Sequence, residues 1–260
     1  MLADSHAHLD DGRFAPDLTA VLDRAREAGV QRIVTVGTGL ASCEAAIALA
    51  QRNPEFVCAS VGIHPHDAAG ADEAALARLA ELARSPGVVA IGETGLDYHY
   101  DRSPRDVQRA VFESQIRIAL QLNLPVVIHC REAYADCLAV LKEHAGDGLR
   151  GVLHCFAGDR ATAEALIGMG FFISFAGPLT FPSAGNLREI GRLAPMEQLL
   201  IETDCPYLAP QPVRGRRNEP AFVRYVAEAL AALRGMTADE VAARTAANAI
   251  RLFGPAERGF

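Results

Sequence analysis

The stretch Leu2-Ala3-Asp4-Ser5-His6-Ala7-His8-Leu9-Asp10, residues 2–10, joins a strand-length start to two histidines one residue apart. Side chains at i and i+2 of a β-strand share a face, so His6 and His8 converge on one side with Asp4 behind them. Two imidazoles on one face can hold a borderline metal such as zinc. An exposed polar segment can carry the same spacing, so the rest of the chain must supply further ligands.

Working outward, β-rich runs recur at Leu2 to His6, Arg32 to Val36, Phe56 to Ile63, Val88 to Gly92, Pro125 to His129, Gly151 to His154, Phe171 to Phe175 and Leu199 to Thr203. Their starts lie 20 to 37 residues apart, and a helical pattern fills each gap. The helices are expected at Pro16 to Ala28, Glu44 to Arg52, Asp72 to Arg84, Pro104 to Asn123, Glu132 to Ala145, Arg160 to Met169, Ala184 to Leu193 and Pro220 to Arg234. Ser103 before Pro104 reads as an N-cap with an N1 proline, and Gly29 and Gly170 read as C′ residues. A ninth helix, Thr237 to Leu252, opens on the capping box Thr237-Ala238-Asp239-Glu240. Eight alternations, with no GxGxxG after the first strand, predict an α/β chain folded as a single-domain (β/α)8 TIM barrel over residues 1–260 with an extra C-terminal helix.

The bulk composition agrees with a barrel of this size. Half of the 260 residues are hydrophobic, enough for a large core. Neither a signal-peptide pattern nor an apolar run of roughly 18 residues is present, so a cytoplasmic protein without membrane association is expected. Cysteines 43, 58, 130, 137, 155 and 205 form no CxxC pair and read as reduced thiols. A net charge of −7 argues against a broad nonspecific nucleic-acid groove but leaves room for a local basic patch.

In a barrel of this kind, active sites form at the C-terminal strand ends. Those ends carry His6 and His8, His64 and His66, Glu93, His129, His154 and Asp204. Strands one and eight are neighbours in a closed barrel, so His6, His8 and Asp204 can hold one divalent ion; His129 and His154 can hold a second, with Glu93 as the bridge. Two-metal sites keep their ions about 3.5–4 Å apart, activate water and polarise the scissile group, which points to hydrolysis. Lys142, the only lysine, falls inside the fifth helix, so a carboxylated lysine cannot serve as the bridge.

The motifs DSHAHLD, VGIHPH, IGETGLDYHYDRSP, LPVVIHCREA, HCFAG, SFAGPLTFP, ETDCPYLAPQPVRGRRNEP and TAANAIRLF occur in that order. Together they resemble the TatD family of metal-dependent hydrolases within the amidohydrolase-like barrels. The resemblance implies a deoxyribonuclease, typically a 3′–5′ exonuclease, acting on single-stranded or frayed DNA ends. It also implies one metal on His6, His8, Glu93 and Asp204 and another on Glu93, His129 and His154. Thr94 and His99 read as tolerable variation within those motifs.

Asp204 and Glu93 are the expected catalytic residues. Asp204 is either both ligand and proton acceptor from water or a ligand alone. His64 is expected to meet substrate rather than to be a third-site ligand, and His66 either to share that role or to be a solvated loop residue. Arg131 shares the face of His129 and can reach a phosphate oxygen, and the basic loop with Arg214, Arg217 and Asn218 leads into a helix N-terminus. Cys130 and Cys155 should point away from the site as packing residues, Phe171, Phe172 and Phe175 should be strand-seven core, and Tyr98 or Phe181 stacks a base or lines the rim.

Two other functions fit the same residues: an acyl or amide hydrolase, such as a D-aminoacyl-tRNA deacylase, and a nucleic-acid-binding or structural protein that holds metal without turnover. The expected cofactors are two divalent ions, with histidine ligation favouring zinc, manganese or cobalt and magnesium preferring oxygen. A monomer is the favoured state.

Overall fold

Ala3, Val34, Val36, Cys58, Val89, Ala90, Val127, Val152, Phe172 and Leu200 form one buried cluster drawn from all eight predicted strands. In the computed structural model, which describes residues 1–144 and 146–254, these side chains fill the interior of a barrel. Its strands are β1 (Leu2–Ala7), β2 (Val30–Val36), β3 (Val57–Val61), β4 (Val88–Asp97), β5 (Val126–Arg131), β6 (Gly151–Leu153), β7 (Phe172–Phe175) and β8 (Leu199–Ile201). They pair in parallel in sequence order, which makes the fold an α/β barrel.

Eight helices follow the strands: α1 (Leu18–Glu27), α2 (Leu40–Arg52), α3 (Glu73–Leu82), α4 (Arg105–Leu122), α5 (Tyr134–Glu143), α6 (Arg160–Gly168), α7 (Gly185–Leu193) and α8 (Val223–Arg234). A ninth, α9 (Ala238–Phe253), adds Ala246, Ala249, Leu252 and Phe253 to the interior cluster. This helix seals the end of the barrel opposite the strand C-termini, and burying Leu252 and Phe253 contributes about 1.5–3 kcal/mol each. Its capping box forms as expected, and Asn248 donates to the carbonyls of Met196 and Leu199 at 2.7 and 2.8 Å. Among the described residues, no helix is long and apolar enough to cross a membrane.

The barrel closes through side chains as much as through backbone. Thr203 donates from its N–H and its hydroxyl to Asp4 at 2.9 and 2.6 Å, and the Ser5 hydroxyl reaches the Ile201 carbonyl at 3.1 Å. Just beyond β8, the Asp204 N–H donates to the His6 carbonyl at 2.9 Å and the His8 N–H to that of Cys205 at 2.8 Å. Polar residues at this seam therefore fasten the first strand to the last and set the histidine pair beside Asp204.

Several boundaries differ from the sequence reading. β4 continues to Asp97 rather than stopping at Gly92, because Gly92 and Gly95 adopt φ of 144° and 136° and carry the strand through a register shift. Pro104 is itself the N-cap of α4, and the Ser103 hydroxyl instead joins the Ala69 N–H to the His66 carbonyl. Glu132, with φ of 55°, lies before α5 rather than in it. Gly29 and Gly170 do end α1 and α6 with φ of 85° and 86°. Ala145, the expected last residue of the fifth helix, and positions 255–260 lie outside the described residues.

Candidate metal centre

His6 and His8 leave β1 on one face and bring their Nε2 atoms within 3.2 Å of each other. Oε2 of Glu93 stands 3.5 Å from the first and 3.7 Å from the second, and Oδ1 of Asp204 stands 3.7 and 3.3 Å from them. The other oxygen of the same glutamate faces a second set: Oε1 of Glu93 lies 2.8 Å from His154 Nε2, 3.0 Å from His129 Nδ1 and 3.4 Å from His64 Nε2. Glu93 thus stands between two groups of histidines, one on each carboxylate oxygen. Its place in β4 rests on Gly92 and Gly95, whose backbone conformations turn the strand through the rim.

The donor set fits metal ions. Two donors held about 2.0–2.1 Å from a tetrahedral zinc ion stand about 3.4 Å apart, close to the separations around Glu93. Among the described residues, three groups have donor atoms all within 4.8 Å of one another and could hold an ion: His6 with His8 and Glu93, His64 with Glu93 and His129, and His6 with His154 and Glu202. The Nδ1 atom of His6 is buried without a hydrogen-bond partner, so all the polar contacts of that ring are made through Nε2.

The charges are mutually adjusted. Burial works to raise Glu93, but the charges of His154 and His64 and hydrogen bonds from His129 and His154 outweigh it and hold the carboxylate well below its usual range. Asp204 follows the same logic, with burial overcome by the hydrogen bond from His8 and the charges of His6, His8 and His154. Burial lowers His6 and His64. For His8 the opposing pull of Asp204, Glu93 and Asp10 exceeds burial and pushes the imidazole up to about 9.

Two carboxylates that the sequence reading missed complete the centre. Asp97 Oδ2 lies 2.9 Å from His129 Nε2 and 3.1 Å from His66 Nε2, so His66 is tied to Asp97 and is not a solvated loop residue. Glu202 lies 3.2 Å from His154 Nδ1 and accepts the Cys155 N–H at 2.7 Å. The signal for Asp97 was its place four residues after Glu93 along one strand, and that for Glu202 was its place two residues before Asp204. Glycines that suggest a strand end concealed the first.

Of the expected substrate contacts, only some face the site. His64 is buried against Glu93 inside the histidine group. Arg131 is exposed at the end of β5, its guanidinium 4.8 Å from the Tyr100 ring. Arg214 is exposed beside Phe181. Arg217 and Asn218 have partners elsewhere in the fold. Arg217 donates twice to Asp17, at 2.8 and 2.7 Å, and to the Arg13 carbonyl at 2.6 Å, which pins the loop to the start of α1. Asn218 is fully buried; it donates to the carbonyls of Thr203 and Tyr207 at 2.8 and 2.6 Å, and its Oδ1 accepts the Glu219 N–H at 3.0 Å.

Tyr98 donates to Asp136 at 2.7 Å and is held away from the centre, whereas Phe171, Phe172 and Phe175 are buried core. Cys130 and Cys155 are partly exposed rather than fully packed. Lys142 lies in the last turn of α5.

A parallel β/α barrel with histidines and carboxylates converging on one rim defines the class as a metal-dependent hydrolase. The family model described as TatD related DNase matches residues 3–254. The chain is 45% identical over 253 residues to the uncharacterized metal-dependent hydrolase YabD of Bacillus subtilis (strain 168), covering 97% of this chain and 99% of the relative. It is 40% identical over 255 residues to the 3′–5′ ssDNA/RNA exonuclease TatD of Erwinia tasmaniensis, covering 96% of this chain and 98% of the relative. Among solved structures it is similar to YjjV, a TatD homolog from Escherichia coli K12, with a TM-score of 0.91, 31% identity and 97% of each chain covered. The chain belongs to the TatD family of metal-dependent hydrolases.

Proposed function

We propose that the protein is a 3′–5′ exonuclease that hydrolyses phosphodiester bonds at the ends of single-stranded DNA. The observation that carries this reading is the division of Glu93, whose Oε2 faces His6 and His8 while its Oε1 faces His129, His154 and His64. One ion would be held by His6, His8, Glu93 and Asp204 and the second by Glu93, His129 and His154. When bound, such ions polarise the scissile phosphate and ease deprotonation of water. Exposed Arg131 and Arg214 at the same rim support a phosphate-bearing substrate, as does the exonuclease name of the Erwinia relative.

The protein's own groups then divide the work. Asp204, ionised at neutral pH, accepts the proton that the attacking water loses. Glu93 keeps the two histidine groups in register, while Asp97 and Glu202 hold the rings of His129 and His154 from behind. Arg131 meets a non-bridging phosphate oxygen and orients the diester.

The test is digestion of 3′-labelled and 5′-labelled single-stranded oligonucleotides by metal-loaded protein. Early release of the 3′ label supports the reading. Intact DNA, with cleavage of D-aminoacyl-tRNA under the same conditions, transfers the site to acyl esters.

A further inference from the structure

The loops after β7 and β8 line an open recess of ≈ 550 Å³ on the catalytic rim. Its walls are apolar, from Pro178, Phe181, Pro206 and Leu208, and its edge carries Arg214 and Arg216. The two loops are fastened to each other. A Cβ on Gly177 would lie 1.9 Å from the Leu208 carbonyl oxygen, so only glycine permits this approach. The Thr180 hydroxyl donates to the Gly177 carbonyl at 2.6 Å and accepts the Gln211 N–H at 2.8 Å. Gly215, with φ of 85°, turns the chain between the two arginines. The recess is therefore held open by packing and backbone contacts rather than by its contents.

Its position ties it to the metal centre. Pro206 follows Asp204 by two residues, across one trans and one cis peptide bond, so their Cα atoms are at most about 6.7 Å apart. The Tyr207 N–H donates to the Asp204 carbonyl at 3.0 Å, and its ring lies 5.9 Å from that of His8. Among the described residues, neither Arg214 nor Arg216 forms an ion pair, whereas Arg217 beside them is spent on Asp17. In a chain of net charge −7, two such cations at an aromatic recess form a local anchor for a flat, phosphate-bearing group.

Resting on the exonuclease reading, we infer that this recess seats a nucleobase of the substrate strand next to the scissile phosphate. The base stacks on Phe181, and Arg214 sits over the stack and pairs with the neighbouring phosphate. The Arg214 guanidinium already lies 5.8 Å from the Phe181 ring centre, near the outer limit of a cation–π contact. Aromatic faces with guanidinium groups recognise unstacked bases of any identity, so the pocket selects single strands without selecting sequence.

The experiment compares kcat/KM for an oligonucleotide with that for the same strand carrying one abasic residue, placed at the 3′-terminal nucleotide or at the one before it. Methyl p-nitrophenyl phosphate serves as a diester without a nucleobase. One base–aromatic stack corresponds to roughly a 5- to 150-fold effect. At one of the two positions the abasic residue should lower wild-type kcat/KM about tenfold, and in Phe181→Ala or Arg214→Ala the penalty should shrink to about twofold or less. An undiminished abasic penalty in both variants overturns the pocket while leaving the nuclease reading intact. Wild-type protein that hydrolyses the small diester but leaves DNA whole overturns the nuclease reading and the pocket with it.

Discussion

Oε1 of Glu202, a carboxylate without exposed surface, lies 3.2 Å from Nδ1 of His154 and accepts the Cys155 N–H at 2.7 Å. The Ser174 hydroxyl donates to its other oxygen. This fixes the ring so that Nε2 points at Glu93. Carboxylates behind ligating imidazoles are worth about 10- to 100-fold in metal affinity. Glu202→Ala should weaken metal binding by that factor in a chelator-competition titration, and Glu202→Gln should lose less. Unchanged affinity in the alanine variant would remove Glu202 from the centre.

Metal uptake should release protons. Ligation requires neutral imidazole, yet His8 in the metal-free protein is pushed up to about 9, and His154 is also raised as Glu93 and Glu202 outweigh burial. At pH 7, binding displaces at least one proton, so affinity rises about tenfold per pH unit per displaced proton toward pH 9. Calorimetry in buffers of different ionisation enthalpy reads this directly, and a buffer-independent heat would contradict it. The sign for stability follows from a folded value above the unfolded one. The contribution of His8 is complete below its unfolded value of 6.5 and is lost as pH rises through about 9, so chelated protein should weaken across that window.

Gly95 cannot accept a side chain. A Cβ there would lie 2.0 Å from the His129 carbonyl oxygen, on a residue with φ of 136°. Gly95→Ala should cost about 3 kcal/mol and lower Tm by roughly 6–12 °C. Gly12→Ala, with open space around the added carbon, serves as the control. Equal Tm values for the two variants would show that the strand turn is not constrained as described.

The buried thiols should be inert. Burial pushes Cys43 and Cys58 up to about 12, so neither supplies thiolate near neutral pH. A thiol-reactive chromophore at pH 8 should label both only after denaturation. Labelling of either in the native protein would contradict the barrel packing around β3.

The candidate ligand side chains could be read because each of these histidines closes an apolar run, and barrel topology sends all such ends to one rim. Strand order alone brought Asp204 to His8, across 196 residues of chain, as the 3.3 Å contact shows. Asp97 was hidden by the glycines that look like the end of β4. Arg217 and Asn218 drew a functional reading because they lie in a basic loop near a phosphate-type site. Asp17, the partner that occupies Arg217, is 200 positions away, and no local pattern announces it. Periodicity shows which face a residue occupies, whereas the partner that consumes its hydrogen bonds is a property of the folded chain.

The most direct measurement pairs metal content with activity in the wild type and in Glu93→Ala after stripping and reloading with zinc or manganese. If Glu93 joins two ions, wild-type protein should hold two per chain and degrade single-stranded DNA only when loaded. The variant should retain one ion or none and lose activity by about 10³-fold or more. A Glu93→Ala protein that keeps both ions and wild-type turnover would contradict the account.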